Sequence, residues 1–350
     1  IEIAAVCDIY KPHLDYWTNG LGSSVKAYHD FRDMLEQKDL DAIVIATPDH
    51  WHAIQTILAC QAGKDVYVEK PLCTTIKEGR RMVEAARKYK RVVQVGTHRR
   101  ASRLYQQLRE VVKAGTIGEI TIAHAYRLSN MWPDGIGKMP HTEPPKDLDW
   151  DMWLGPRPYR PYQDNIAPYK FRWWIGYSSQ MGNWGVHYFD AMRWMMGEEA
   201  PVSISAHGSN LAVDDDRTIP VTAHTTFEFA SGRLMVFGQY EASNYPMMPG
   251  EIDLRGTKGI IFSKPSGYQI FPEESGQFQD DQPRAKETKF EGDESNHDMT
   301  VSNMRNFVEC IRSRELPCAD VEIGHRSTSI CHLANIALET RSRIDWDPVN

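Results

Sequence analysis

Over the first hundred residues, short apolar runs alternate with stretches of helical periodicity. The apolar runs cover residues 1–8, 41–47, 66–68 and 91–96, and the helical stretches include 13–19, 31–36, the segment ending at 62, and 75–89. Runs that are apolar throughout are typical of parallel strands with helices on both faces. This order predicts a doubly wound parallel sheet. Because the sequence opens inside a strand, we expect the first strand–helix unit of that sheet to be missing.

The pattern changes after residue 100, which we take as the boundary between two domains, 1–100 and 101–350. A helix at 101–114 leads to an alternating strand at 119–128 and then to a long region, 129–175, rich in Trp, Tyr and Pro. Six closely spaced strands are predicted between 202 and 271, and closing helices at 298–313 and 325–341. Close strand spacing favours antiparallel pairing. The second domain is therefore predicted to be an α/β domain with a large, open, mainly antiparallel sheet.

Polar side chains follow several of the predicted parallel strands. Asp8, Thr47 and the pair Glu69-Lys70 each stand at a strand's carboxyl end, where ligands bind in open α/β sheets. An acid such as Asp8 can bond the ribose hydroxyls of a dinucleotide and repel a 2′-phosphate, although it can equally cap a turn or helix. A lysine held at Lys70 could donate hydrogen bonds to a substrate oxygen, although a solvated Glu-Lys pair fits the same residues.

Histidines provide further candidates. His187 follows Gly182-Asn183-Trp184-Gly185 and precedes a predicted helix that ends at Met196. A single histidine is more often structural than catalytic. His50 and His52 are spaced like metal ligands, but no third ligand has plausible spacing, so packing or cofactor contact is the favoured interpretation and no metal site is predicted. The run Asp214–Asp216 is interpreted as a solvated loop.

Composition excludes several classes of protein. Of the 350 residues, 41% are hydrophobic and 25% charged, which is ordinary for a globular protein. The net charge of −7 and the lack of a basic run argue against a nucleic-acid partner. No apolar run reaches the roughly 18–20 residues of a membrane span. Six scattered cysteines indicate free thiols in a reduced compartment, so we expect a cytoplasmic protein. An exported form stays open because the amino terminus is expected to be incomplete.

Taken together, the motifs resemble those of the glucose-fructose oxidoreductase/inositol dehydrogenase (Gfo/Idh/MocA) family, over nearly the whole chain. The matching pieces are Asp8 after a strand, Thr47–His52, Glu69–Pro71, Val95–Arg100, Gly182–His187 and 317–331. The resemblance implies a Rossmann domain followed by an α/β domain whose open sheet builds a homo-oligomer, a dimer or a tetramer. It also implies NAD as the cofactor, with NADP less favoured.

The resemblance assigns roles to particular residues. It implies that Lys70 is the active-site lysine and His187 the general acid/base, and it places Asn183 beside them. Asp8 is implied to bind the adenosine ribose. The remaining candidates for the cofactor site are Thr47, His50, Glu69, Lys70 and Gln94.

Two departures from the family pattern matter. The glycine-rich loop after the first strand is absent, and Asn183 stands where the family usually has an aspartate, so the charge that would stabilise a nearby cation is lost. The predicted function is NAD-dependent oxidoreduction at a secondary hydroxyl of a sugar, glycoside or cyclitol. Two alternatives stay open: an NAD-dependent glycosidase that oxidises its sugar transiently, and a nucleotide-binding protein without turnover.

Overall fold

The amino-terminal half of the fold alternates strands and helices, as the apolar runs predict. The computed structural model describes residues 1–244, 250–274, 276–278 and 280–347. In chain order the elements are β1 (Ala5–Cys7), α1 (Lys11–Leu21), β2 (Lys26–Tyr28), α2 (Phe31–Leu35), β3 (Ala42–Ile45), α3 (Asp49–Gln61), β4 (Asp65–Val68), α4 (Ile76–Lys88) and β5 (Val93–Val95). A 3₁₀ turn at His98–Ala101 then leads out of this half.

All strand pairs in this half are parallel. β1 pairs with β2, and β3, β4 and β5 form a second sheet in that order. Every residue of β4 is buried, as expected for a strand covered on both faces. The predicted parallel α/β architecture is confirmed, and the carboxyl ends of β3, β4 and β5 lie along one edge of their sheet.

The second half is built on a large mixed sheet. Its elements are α5 (Arg103–Lys113), β6 (Ile120–Asn130), α6 (Trp150–Leu154), α7 (Val186–Met196), β7 (Pro201–Ser209), β8 (Thr222–Phe229), β9 (Leu234–Tyr240), β10 (Ala242–Ser243), β11 (Ile252–Gly256), β12 (Gly259–Lys264), β13 (Gly267–Pro272), β14 (Thr288–Glu291), α8 (Asn296–Ser313), α9 (Val321–Thr340) and β15 (Ile344–Asp345). The strand order is β14-β13-β12-β11-β6-β9-β8-β7-β15, with β10 paired to β6. Among the described strand pairs of this sheet, β6–β9 is parallel and the others are antiparallel, which confirms a mainly antiparallel sheet.

One helix, α9, packs against both halves of the fold. α9 contributes Val321 to the core under the parallel sheet, whereas Ile330 and Cys331 belong to the core of the mixed sheet. Gly324 makes the first contact possible, since a Cβ there would lie 2.4 Å from a side-chain carbon of Val95. The relative position of the two sheets is therefore set by close packing of α9.

Among the described residues, none of the helices combines the length and the apolar character that a membrane span requires.

The triple aspartate is not simply a solvated loop, so that expectation is wrong for two of its three residues. Asp214 is exposed and pairs with Lys138, but the Asp215 side chain is fully buried against Arg217. Asp216 accepts hydrogen bonds from the backbone of Met139 and from Asn165. The carboxylates of Asp215 and Asp216 hold the long region 129–175 against the mixed sheet. The polarity of the local sequence does not indicate this role.

Candidate active site

Lys70 lies two residues beyond β4 and joins the two halves of the fold. Its Nζ donates to the backbone oxygen of Asn183 at 2.7 Å and lies 3.1 Å from the side-chain oxygen of the same residue. Asn183 belongs to one wide turn of π-helix, Met181–Gly185, directly before α7. Gly182 brings this turn against the strand end, because a Cβ there would stand only 3.1 Å from Pro71. Residues 113 positions apart thus meet at the carboxyl edge of the parallel sheet.

His187 lies in the first turn of α7 and is buried. Its Nδ1 has no hydrogen-bond partner in the described structure, and the ring of His98 stands 4.9 Å away, centroid to centroid. Burial holds the pKa of His187 well below its usual range, and the nearby charges of Lys70 and Arg99 lower it further. The imidazole is therefore neutral near pH 7 and able to accept a proton.

The same environment affects Lys70. Burial lowers its pKa, and the carboxylates of Asp49 and Glu69 partly oppose that shift. Asp49, at the start of α3, is itself buried, so its pKa is raised, and it accepts a hydrogen bond from the Ser178 hydroxyl. Asp49 thus supplies a carboxylate to a site in which Asn183 contributes only neutral oxygens. Asp49 lies within the Thr47–His52 motif, but nothing in the local sequence indicates that its carboxyl group is buried near Lys70.

The remaining nicotinamide-side candidates surround the ends of β3 and β4. The Glu69 carboxylate lies against Gly96, where a Cβ would come within 2.9 Å of its oxygen. Thr47 and Gln55 share a side-chain hydrogen bond of 2.7 Å. His50 contacts the backbone oxygen of Trp153 at 2.8 Å, its Nδ1 has no partner among the described residues, and burial lowers its pKa to about 4.

Two candidates lie outside this cluster. Asp8 accepts a hydrogen bond from the backbone of Tyr10 at 2.8 Å and stands 3.4 Å from His13, so it ends β1 with a half-buried carboxylate. Gln94 is fully buried and its amide nitrogen donates to Asn303 on α8 at 2.6 and 2.7 Å, whereas its side-chain oxygen has no partner among the described residues. The structure therefore brings together Lys70, Asn183 and His187, but not the side chains of Asp8 and Gln94.

The residues at this edge suit a dinucleotide. Glu69 can accept hydrogen bonds from ribose hydroxyls. Gly96 has no side chain that would collide with the Glu69 carboxylate. Asp8 has the same acceptor chemistry at the end of β1. Lys70 carries a hydrogen-bond donor and the His187 imidazole can accept a proton, the two functions that oxidation of a hydroxyl requires.

A Rossmann-type half, a mixed-sheet half and a lysine–histidine site at their junction define a nucleotide-dependent oxidoreductase architecture. Two family models cover almost the whole chain: the oxidoreductase family's NAD-binding Rossmann fold matches residues 1–97, and the C-terminal α/β domain of that family matches residues 102–350. The chain belongs to the Gfo/Idh/MocA oxidoreductase family.

Individual relatives agree with this assignment. Myo-inositol 2-dehydrogenase of Thermotoga maritima is 26% identical over 350 residues, which span 99% of this chain and 91% of that protein. Inositol 2-dehydrogenase of Salmonella paratyphi B is 34% identical, but the match spans only 37% of its length and 35% of this chain. 

Solved structures share the fold at lower identity. The WlbA dehydrogenase from Bordetella pertussis, in complex with NADH and UDP-GlcNAcA, has a TM-score of 0.69 at 20% identity, with 99% of this chain and 91% of that chain covered. Levoglucosan dehydrogenase in complex with NADH and levoglucosan has a TM-score of 0.73 at 17% identity, with 97% and 89% covered.

Proposed function

We propose that the chain is an NAD-dependent oxidoreductase that transfers hydride between the nicotinamide and a secondary hydroxyl of a sugar, glycoside or cyclitol. The observation that carries the proposal is the Lys70 ammonium, which Asn183 fixes at the carboxyl edge of the parallel sheet, close enough to the buried, neutral His187 for its charge to lower the pKa of that histidine. The names of the inositol and levoglucosan dehydrogenases support the substrate class. Formation of NADH from a panel of sugars and inositols tests it, and a panel that gives none would contradict it.

Each residue has a defined task in this proposal. His187 accepts the hydroxyl proton of the substrate, since its lowered pKa keeps the ring neutral near pH 7. Lys70 donates a hydrogen bond to the oxygen on which negative charge develops. Asn183 fixes the ammonium through two oxygens, and Glu69 orients the nicotinamide ribose. The bound nicotinamide supplies the hydride acceptor, a chemistry that protein side chains do not provide.

Cofactor preference is expected to follow from Asp8. A carboxylate there would repel a 2′-phosphate, so NAD should bind at least about tenfold more tightly than NADP, a difference of about 1.4 kcal/mol. Fluorescence titration with both cofactors measures this ratio. Asp8→Asn keeps an acceptor for the Tyr10 backbone but removes the charge, and should bring the ratio towards one. Asp15→Asn is the matched control, since Asp15 is paired to Lys11 on the same helix. NADP binding as tight as NAD would contradict this role.

The amide at position 183 is expected to set the acidic limit of activity. The amide carries no charge that would raise the pKa of a neighbouring histidine, and burial lowers the pKa of His187, so His187 stays a competent base at a pH well below the ordinary pKa of histidine. Asn183→Asp places a carboxylate 3.1 Å from the Lys70 ammonium and should raise the pKa values of Lys70 and His187. The acidic limb of the pH–rate profile for oxidation should then move upward by about one unit, or about 1.4 kcal/mol. An unmoved limb would leave Asn183 with a purely structural role.

Assembly and location complete the proposal. The face of the mixed sheet opposite its helices carries aromatic side chains, including the Phe262–Phe271 pair at 5.6 Å, which supports a homo-oligomer formed through this face. Light scattering would reveal a monomer if this is wrong.

The six free cysteines are consistent with a reducing, cytoplasmic compartment, and disulfides in the protein isolated from its source would argue against it.

A further inference from the structure

Arg127 lies on the face of the mixed sheet that the helices cover. It follows Ala123 and Ala125 on β6 at intervals of two residues, and both alanines are fully buried in the core beneath α7. Arg127 itself is only half-buried, because it stands where this covered face ends near the start of α7. Its guanidinium carbon lies 3.7 Å from the centre of the Trp184 ring.

This contact connects Arg127 to the proposed proton acceptor. Trp184 belongs to the π-helical turn that precedes α7, and its ring centre is 6.4 Å from that of His187. Trp184 therefore has Arg127 against its ring and His187 as a neighbouring ring. Because Trp184 holds the guanidinium on its face, Arg127 presents a fixed cation one aromatic ring away from His187.

Within the part of the chain that the structure describes, the guanidinium of Arg127 lacks an acceptor. Across the described ranges it forms neither an ion pair nor a hydrogen bond, whereas other arginines near the site are paired, Arg99 with Glu251 and Arg217 with Asp215. Glu241 is close enough for its pKa to be affected by Arg127, but its oxygens are bonded by Arg217 and Trp173. None of the described residues occupies the donors of Arg127, so we take these donors to be available to a bound ligand.

We propose that Arg127 binds an oxyanion on the substrate, so that the enzyme acts on acidic sugars in preference to neutral ones. A guanidinium offers parallel N–H donors that match a carboxylate or a phosphate, whereas a hydroxyl uses only one of them. The inference rests on the proposed function, because it names the class of sugar whose hydroxyl reaches His187. Recognition of the anion would also fix the orientation of the sugar relative to Lys70.

Binding measurements on the NADH-loaded protein test this without requiring turnover. Calorimetry compares glucuronate with glucose, galacturonate with galactose, and glucose 6-phosphate with glucose. At least one acid should bind about 10- to 100-fold more tightly than its neutral parent, the range expected for a charge-assisted hydrogen bond. The uronates and the phosphate ester distinguish the two sources of the oxyanion.

Variants test whether Arg127 causes the preference for acidic over neutral sugars. Arg127→Met keeps a long side chain over Trp184 and should abolish the acid preference, and Arg127→Lys should retain part of it. Arg109→Met is the matched control, since Arg109 stacks on Trp194 at 5.3 Å at a different place in the fold, and it should leave the preference unchanged. NADH affinity checks that each variant is folded.

The outcomes separate this inference from the proposed function. Equal binding of all acid–neutral pairs, or an acid preference that survives in Arg127→Met, overturns the role of Arg127 even if neutral sugars are oxidised. Tight acid binding that depends on Arg127, without NADH formation from any sugar, upholds the anion site and contradicts the proposed oxidoreduction.

Discussion

Lys70→Met is expected to lower kcat for hydroxyl oxidation by at least about 100-fold, the loss typical of removing one donor to a developing oxyanion. Two oxygens of Asn183 hold the ammonium of Lys70, which leaves the third of its N–H donors for a substrate oxygen. Methionine keeps the length of the side chain but donates no hydrogen bond. Steady-state kinetics and NAD titration should show lost turnover with retained cofactor binding.

Lys64 offers a matched control for this variant. It is also buried and also donates to two backbone oxygens, those of Gln37 and Leu40, but it precedes β4, at the end opposite Lys70. Lys64→Met should lower stability and leave kcat within a few-fold of wild type. If Lys70→Met reduces turnover no more than Lys64→Met does, the oxyanion role is wrong.

Arg217→Met is expected to lower the free energy of unfolding by about 3–5 kcal/mol, because breaking a buried ion pair leaves uncompensated charge. The Arg217 side chain is 1% exposed and bonds two carboxylates, Asp215 at 2.9 Å and Glu241 at 2.6 Å, which are 0% and 4% exposed. Glu241 also accepts from Trp173, so the cluster joins the mixed sheet to the long region 129–175. Urea unfolding followed by tryptophan fluorescence measures the loss.

The control for this effect is an arginine whose ion pair is exposed. Arg103 faces Asp293 at 3.7 Å, and both side chains are largely in solvent. Arg103→Met should therefore leave the urea midpoint unchanged, since exposed pairs contribute little. A midpoint for Arg217→Met equal to that of Arg103→Met would show that the buried cluster does not stabilise the fold.

The parts of the fold that the sequence predicts well are those with a strong local pattern. Strand β8 lies within the region 202–271, for which the sequence predicts closely spaced strands, and its alternation of buried and exposed positions is regular. Strand β2 was not expected, since three residues with only partial burial carry no periodicity. Helix α9 begins four residues earlier than predicted, at Val321, because the Asp320 side chain caps it.

The site is less predictable because its contacts are distant along the chain. Lys70 and His187 come from motifs whose order resembles a family, so both could be proposed from sequence. The environment of Asp49 depends on Ser178, 129 residues away, and that of Arg127 on Trp184. The periodicity and spacing of residues in a sequence do not indicate which charged side chain will contact a partner in the folded protein. Asp215 is a similar case: the aspartate run around it resembles a solvated loop, yet Asp215 forms a buried ion pair.

The central claim is that this site carries out a net transfer of hydride from a carbohydrate carbon to the nicotinamide. The most direct test incubates the purified protein with NAD and sugars or inositols deuterated at the carbinol carbons, and follows the label by mass spectrometry. The account predicts one deuterium in NADH for each ketone formed, and loss of that transfer in Lys70→Met. Glycoside cleavage that needs only catalytic NAD and leaves no labelled NADH would contradict it, as would NAD binding with no transfer at all.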